Sequence, residues 1–506
     1  MADFFSLSEL FSGFAAVADP MVILFIFIGV FVGIIFGSIP GLTATMAIVM
    51  FLPMTYVMSP IQGVSTLIAL YIGGISGGLI AAILLNIPGT PSSIATCFDG
   101  CPMAKKGEAG KALGTGVVFS FFGTIIGIIV LALAAPLIAA VAIRFGPYEY
   151  STLSLCALSL VISLTGKDLI KGLISGLLGI MFATVGLAPV DSAKRFTLGM
   201  SELTSGIALL TLLIGLFAVT EVIKAAEEVR NPLKAQVKYK NVSIRGFGFS
   251  LKEGLAQKWN LLRSSLIGIV IGILPGIGGA ISGMLSYTAA KNQSKHPEKF
   301  GTGIMDGIVA SESANNAGIG GAMIPMLTLG IPGDAATAML LGGLMVHQIA
   351  PGPLIFEKNG VEVYGIYGAM FVAAIAMLFF ELFGIKIFIR VLKLQKYWLM
   401  PIIMMLCIVG AIGNANRVFD VWNVLFFGIV GFAMIKSGLP HVPLILGFIL
   451  GPIFELNFRQ AVQHYLIDPM DVLSHPIAIG FFVFTIFVVF YSLKRQKKES
   501  MLISEE

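Results

Sequence analysis

Long apolar runs, each cut by a short polar or small-residue break, fill almost the whole chain of 506 residues. The first runs cover 21–39, 42–58, 64–87 and 91–104. Further runs cover 112–139, 150–165, 169–187 and 203–223. A polar connector at 224–263 separates these from 264–274, 277–290, 306–330 and 334–346. The series closes with 362–385, 397–412, 420–435, 440–455 and 475–493. Runs of this length read as membrane helices. Four are broken by Pro-Gly: Pro40-Gly41, Pro88-Gly89, Pro275-Gly276 and Pro332-Gly333. The breaks lie 48 and 57 residues apart within each half, and the halves are offset by 235 and 244 residues. The pattern predicts two related halves of one membrane protein.

Composition agrees. Hydrophobic residues make up 57% and charged residues 12%, with a mean hydropathy of +0.95. A soluble domain carries about 25% charge. The net charge of +5 is accounted for by basic cytoplasmic loops, and nucleic acid is not an expected partner. Cys97, Cys101, Cys156 and Cys407 read as small packing residues, with no ligand set around them. The N-terminal stretch has no Lys or Arg, so it lacks the basic region of a cleaved signal peptide.

Loop charge orients the spans. The connector 224–263 carries nine basic residues against three acids and is expected in the cytoplasm. Loop 105–111 is basic, but its counterpart 348–360 is near neutral. Loop 144–149 is neutral and its counterpart 386–396 basic. The loop near Ser59 is uncharged, against the basic 291–299. Such alternation is what inverted repeats require. The expected fold is all-α and polytopic, with two inverted repeats, each holding a re-entrant hairpin and a broken helix, and about 11 crossings. The first repeat covers 1–223 and the second 264–473, with an extra last span and basic tail at 474–506. The N-terminus is placed outside and the C-terminus in the cytoplasm.

Each break also has chemistry. A new helix starts after it, with unpaired N–H groups and the positive end of the helix dipole. Residues near these starts are small or hydroxylated: Gly41, Thr43 and Thr45; Gly89, Thr90, Ser92 and Ser93; Gly276, Gly278, Gly279 and Ser282; Gly333 and Thr337. They suit a carboxylate or phosphate. Carbonyls that end the preceding helices, with Asn86, Ser311, Glu312, Ser313, Asn315, Asn316 and Asp334, offer hard oxygens for Na⁺. Asp99 and Asp306 read equally as helix caps, and the five histidines, Arg417 and Arg459 as interface residues. No H-E-x-x-H, G-x-S-x-G or Walker A motif is present. A membrane enzyme and an ATP-driven pump therefore lack their usual machinery.

The motifs GSIPGLTATMAIVMFLP, IPGTPSSIATCFDGCPMAKKGEAGKALG, LPGIGGAISGMLSYTAAK and FGTGIMDGIVASESANNAGIGGAMIPMLTLGIPGDAATAMLLGGL resemble the large membrane subunit of the tripartite tricarboxylate transporters. The resemblance implies a bacterial inner-membrane symporter for citrate-like carboxylates, with Na⁺ or H⁺ as coupling ion and no other cofactor. It also implies a small membrane subunit and a periplasmic solute-binding protein as partners, with membrane lipid around the spans. A stand-alone carboxylate exchanger or channel is the alternative. In a cysteine-free background, a single cysteine in the 224–263 connector should be shielded from an impermeant thiol reagent in intact cells. One beside Asp468 or Asp471 should label.

Overall fold

The computed structural model describes residues 6–165, 169–228, 246–276, 278–392, 400–415 and 417–504. In chain order the first helices are α1 (Leu7–Val17), α2 (Pro20–Ser38), α3 (Ala44–Phe51), α4 (Pro60–Leu85) and α5 (Ile94–Met103). They are followed by α6 (Ala109–Ala142), α7 (Pro147–Thr165), α8 (Leu169–Ala183), α9 (Leu209–Leu213) and α10 (Thr220–Glu228). Next come α11 (Leu251–Ala256), α12 (Lys258–Ile273), α13 (Gly278–Gln293), α14 (Met305–Leu329), α15 (Ala335–Val346) and α16 (Ile355–Lys358). The last are α17 (Gly360–Phe383), α18 (Ile385–Val391), α19 (Met400–Ala415), α20 (Phe419–Ser437), α21 (His441–Ile467) and α22 (Pro476–Ser504). Among the described residues the protein is all-α apart from one short antiparallel pair, Gly186–Leu187 with Lys194–Arg195.

Among the described residues, eight helical stretches are long and apolar enough to cross a membrane. They are α2, α4, Pro91–Ala142, Leu209–Glu227, α17, α20, α21 and the first part of α22. Helices α7, α8, α14 and α19, which the sequence reading counts among its crossings, fall outside that group. α8 and α19 have 15 and 16 residues. α14 has 25 residues, but it carries Asp306, Glu312, Asn315 and Asn316. α2, which leads into the first Pro-Gly pair, is itself 19 residues long. The reading also missed α1, where Ser6 caps the helix by accepting from the Glu9 N–H. Five of the connector's basic residues, from Arg230 to Arg245, lie outside the described residues.

All four Pro-Gly sites end helices. α2 stops before Pro40 and α4 before Pro88; α12 stops before Pro275 and α14 before Pro332. Proline cannot donate to the next turn, and glycine takes the backbone where other residues strain. Gly41 and Gly276 have φ values of 88° and 77°, the left-handed geometry of a reversal.

The two halves pack in the same register. α2 lies on α4, and a Cβ added at Gly33 would stand 2.6 Å from the Leu70 carbonyl oxygen. α12 lies on α14, where Gly268 meets the Ala314 carbonyl at the matching positions. Gly37 likewise meets the Gly74 carbonyl, and a Cβ at Gly272 would stand 2.5 Å from that of Gly318. In the other direction Gly77 faces the Ile34 carbonyl and Gly321 that of Ile269. Residues on α2 and α12 are offset by 235, and those on α4 and α14 by 244, the offsets of the Pro-Gly breaks. The breaks also meet one another. Gly89 packs on the Gly37 carbonyl and Gly333 on that of Gly272, and the Gly276 N–H donates to the Gly333 carbonyl at 2.7 Å.

Asp99 of α5 ties the halves together. It is fully buried, and its Oδ1 accepts the N–H groups of Gly301, Gly303 and Ile304 at 3.0, 2.7 and 3.0 Å. Its Oδ2 accepts the Tyr287 hydroxyl at 2.8 Å. Asp99 thus caps the start of α14 from the other half of the chain. Asp306 lies in the first turn of α14, where an acid is favourable. Outside the bundle, Lys111 Nζ stands 2.5 Å from Glu253 Oε1 and joins α6 to α11. Lys111, with Ser250, holds the Glu253 carboxyl down at about 2. The pairing is therefore fully formed at neutral pH and is lost only as pH falls below the ordinary carboxylate range. Replacing Asp99 by Ala leaves three N–H groups and a hydroxyl without their acceptor. The substitution should cost about 3 kcal/mol, measured as a lower Tm of the purified protein, because charge-assisted hydrogen bonds to buried groups are lost.

Candidate functional site

A narrow cavity, with room for little more than a water molecule, lies beside the breaks of the second half. Gly278, Gly279 and Ser282 of α13 form one wall, with Asn315 and Gly318 of α14 beside them. Tyr71 of α4 and Asp334, the residue that opens α15, close it. Tyr71 is buried, and its hydroxyl donates to Asp334 Oδ2 at 2.7 Å. Asp334 Oδ1 accepts the Thr337 N–H at 2.7 Å and its hydroxyl at 2.8 Å. The positive start of α15 is thus already occupied by the protein's own carboxylate.

The start of α13 is different. Gly278 has a φ of 64°, and it and Gly279 place no side chain between backbone and cavity. Asn315 is buried, and neither its Nδ2 nor its Oδ1 has a hydrogen-bond partner among the described residues. Leaving a buried polar atom unpaired costs about 1–3 kcal/mol. An amide left so in a cavity wall is disposed to bind a ligand.

The cavity is lopsided for a sequence reason. By the 244-residue offset Tyr71 corresponds to Asn315 and Ile75 to Ile319, and all four line it. By the 235-residue offset Gly279 and Ser282 correspond to Ala44 and Ala47. Ala44 is packed directly on Gly74, and Ala47 is buried. Methyl groups fill the first half's place, whereas glycine leaves it open in the second.

A second polar cluster lies deeper. Glu312 is buried and accepts hydrogen bonds from the Thr96 hydroxyl, from Ser120 Oγ at 3.0 Å and from Asn316 Nδ2 at 3.3 Å. Asn316 Nδ2 also donates to Ser120 Oγ at 2.8 Å, and Ser311 Oγ lies 3.0 Å from Thr96 Oγ1. Asn316 Oδ1 and Ser313 Oγ have no partner among the described residues. This is an oxygen-rich pocket around one carboxylate, the donor set that hard cations take.

Other residues singled out in the sequence do not join these groups. Asn86 is exposed at the end of α4, with a left-handed φ of 57°. Thr43 caps α3 by accepting the Met46 N–H at 3.2 Å, Thr45 is buried in α3, and Gly41 is exposed at its turn. Thr90, Ser92 and Ser93 hydrogen-bond among themselves. That turn leans on α13, where a Cβ on Gly279 would meet the Ser92 Cβ at 2.9 Å. Gly89, Gly276 and Gly333 hold the breaks together and do not line the cavity.

The architecture and cavity can be set beside known proteins. The model of the tripartite tricarboxylate transporter TctA family matches residues 23–446, which includes both pairs of breaks. The chain belongs to this family. TctA is a family of transporters, and its members are typically part of tripartite systems. An uncharacterised 52.8 kDa protein in the TAR-I ttuC' 3'region of Agrobacterium vitis is 34% identical over 503 residues, 99% of each chain. An uncharacterised protein in the TAR-II ttuC' 3'region of the same organism is 31% identical over 223 residues, 44% of this chain and 92% of its own. No solved structure matches the chain.

Tyr71, Thr96 and Ser120 are not singled out by the sequence because each is flanked on both sides by apolar residues. The 244-residue offset was the available signal for Tyr71, since it pairs that residue with Asn315. A Cβ at Gly279 would stand 2.5 Å from Asn315 Oδ1, so Gly279→Ala should weaken ligand binding tenfold or more while the protein still folds. Gly283→Ala, whose nearest contact would be 3.4 Å, should leave binding unchanged. Isothermal titration of both variants checks the pair.

Proposed function

We propose that the chain is the large permease subunit of a secondary transporter that imports tricarboxylates or related citrate-like carboxylates by cation symport, with Na⁺ as the coupling ion. The observation that carries the reading is the cavity at the open start of α13, faced by the unpaired amide of Asn315, in a member of the TctA family. Backbone N–H groups of Gly278 and Gly279 and the Asn315 amide can donate to a carboxylate there. Asp334 makes the coupling ion necessary. A substrate carboxylate beside Asp334 is repelled unless a cation stands between them. Asn315 Oδ1 and Asp334 can hold that cation at the cavity, and Glu312 with Asn316 and Ser313 can hold one deeper.

In this reading the two halves are inverted repeats with two re-entrant hairpins and about eleven crossings. The matched glycine contacts at offsets of 235 and 244 residues support the repeat, and the alternating loop charges support the inversion. The permease lies in a bacterial inner membrane, N-terminus outside and C-terminus inside. It works with a small membrane subunit and takes substrate from a periplasmic binding protein.

Uptake of labelled citrate into proteoliposomes holding both membrane subunits, with the binding protein added, tests this. Uptake should require the binding protein and an inward Na⁺ gradient, and Asp334→Ala or Asn316→Ala should reduce it at least tenfold. Uptake indifferent to cation gradients would remove the symport claim. Full uptake without the binding protein would show a stand-alone exchanger or channel instead.

A further inference from the structure

Glu381 belongs neither to the cavity nor to the oxygen cluster. It lies on α17 and is fully buried. Its Oε2 accepts the Ser76 hydroxyl of α4 at 2.9 Å, and its Oε1 has no partner among the described residues. The helices packed on α17 bring it little charge. α2 and α4 contain no charged residue, and α6 has only Lys111, in its first turn. Glu9 of α1 meets the opposite end of α17, at Gly360. The titratable Tyr71 of α4 is engaged by Asp334. Lys386 and Arg390 of α18 are exposed. The charge of Glu312 on α14 also acts on it, and that charge is of the same sign.

A carboxylate in such a place cannot remain uncompensated, because one hydroxyl returns far less than the lost hydration. A hard metal ion takes about six oxygen ligands, and Glu381 has a single hydroxyl beside it. A proton needs one carboxyl oxygen. We propose that Glu381 is a proton-binding site of this permease, separate from the cation-binding oxygens around Glu312, and that it lets a proton gradient drive transport. The proton adds to Oε1, converting the carboxylate to the neutral acid, while Oε2 still accepts from Ser76. Release on the other side of the membrane restores the carboxylate. Ionisable groups buried in membrane bundles commonly serve as such relays. The coupling role rests on the transport reading above; the proton binding rests on Glu381 itself.

Two measurements on the full-length chain test the two parts separately. Glu381→Gln keeps the shape and the Ser76 bond but cannot take up a proton. In purified protein, the infrared carbonyl band of a buried carboxylic acid should be present in the wild type, present in Glu312→Gln and absent in Glu381→Gln. The same band in Glu381→Gln, or its absence from the wild type, overturns proton binding. In proteoliposomes with both membrane subunits and the binding protein, an inward proton gradient should stimulate wild-type uptake. Glu381→Gln should lose that stimulation at least tenfold and keep the response to Na⁺. An unchanged proton response in Glu381→Gln overturns the coupling role. If the wild type transports no carboxylate at all, the transport reading and the coupling role fall together, and the infrared result still decides whether Glu381 binds a proton.

Discussion

The structure depends on how closely one helix backbone can approach another. α2 on α4 and α12 on α14 touch through glycine, with carbonyl oxygens where a side chain would otherwise stand. Without water, a broken helix leaves polar backbone groups that the protein itself must satisfy. Packing at glycine distance is the way these helices do so. It brings the end of one broken helix onto the next, as the hydrogen bond from Gly276 to Gly333 shows. In membranes helices gain nothing by hiding apolar surface from lipid, so close contact and hydrogen bonds carry the association.

The same economy locates the cavity. Related halves would produce related sites if their side chains matched. They do not: Ala44 packs on Gly74 in the place that its counterpart Gly279 leaves open. Asp334 adds a second asymmetry, since its first-half counterpart by offset is the hydroxyl-bearing Thr90. One half therefore supplies both the open backbone and the negative charge. The other supplies Tyr71 as a hydroxyl from across the interface.

Much of this was legible in the chain. The four Pro-Gly breaks, the helical runs around them and the importance of the Ser-Glu-Ser-Ala-Asn-Asn stretch follow from pattern and burial cost. Helix limits were less legible. Apolar runs blend into their caps, so α21 extends to 27 residues where the apolar pattern covers 440–455. The structure gathers the second half's candidates Gly278, Gly279, Ser282, Asn315 and Asp334 at one cavity and leaves those of the first half apart from it. Thr43 caps a helix locally, and Asn86 turns the backbone at an exposed helix end. Both roles draw on the same residue types as ligand binding, and only position separates them. Glu381 stayed hidden because a lone acid near the end of an apolar run resembles an interface residue until its burial is known.

The cap that Asp99 places on α14 has a mechanical consequence. A helix usually takes its cap from its own sequence, so it can shift as a unit and keep its end groups satisfied. The start of α14 has borrowed its acceptor from α5, more than 200 residues earlier in the chain. Sliding one past the other would strip a buried carboxylate of four donors at once. The broken helices of the two halves are thereby riveted into one body. A rearrangement that keeps these four bonds carries α5 and the start of α14 together.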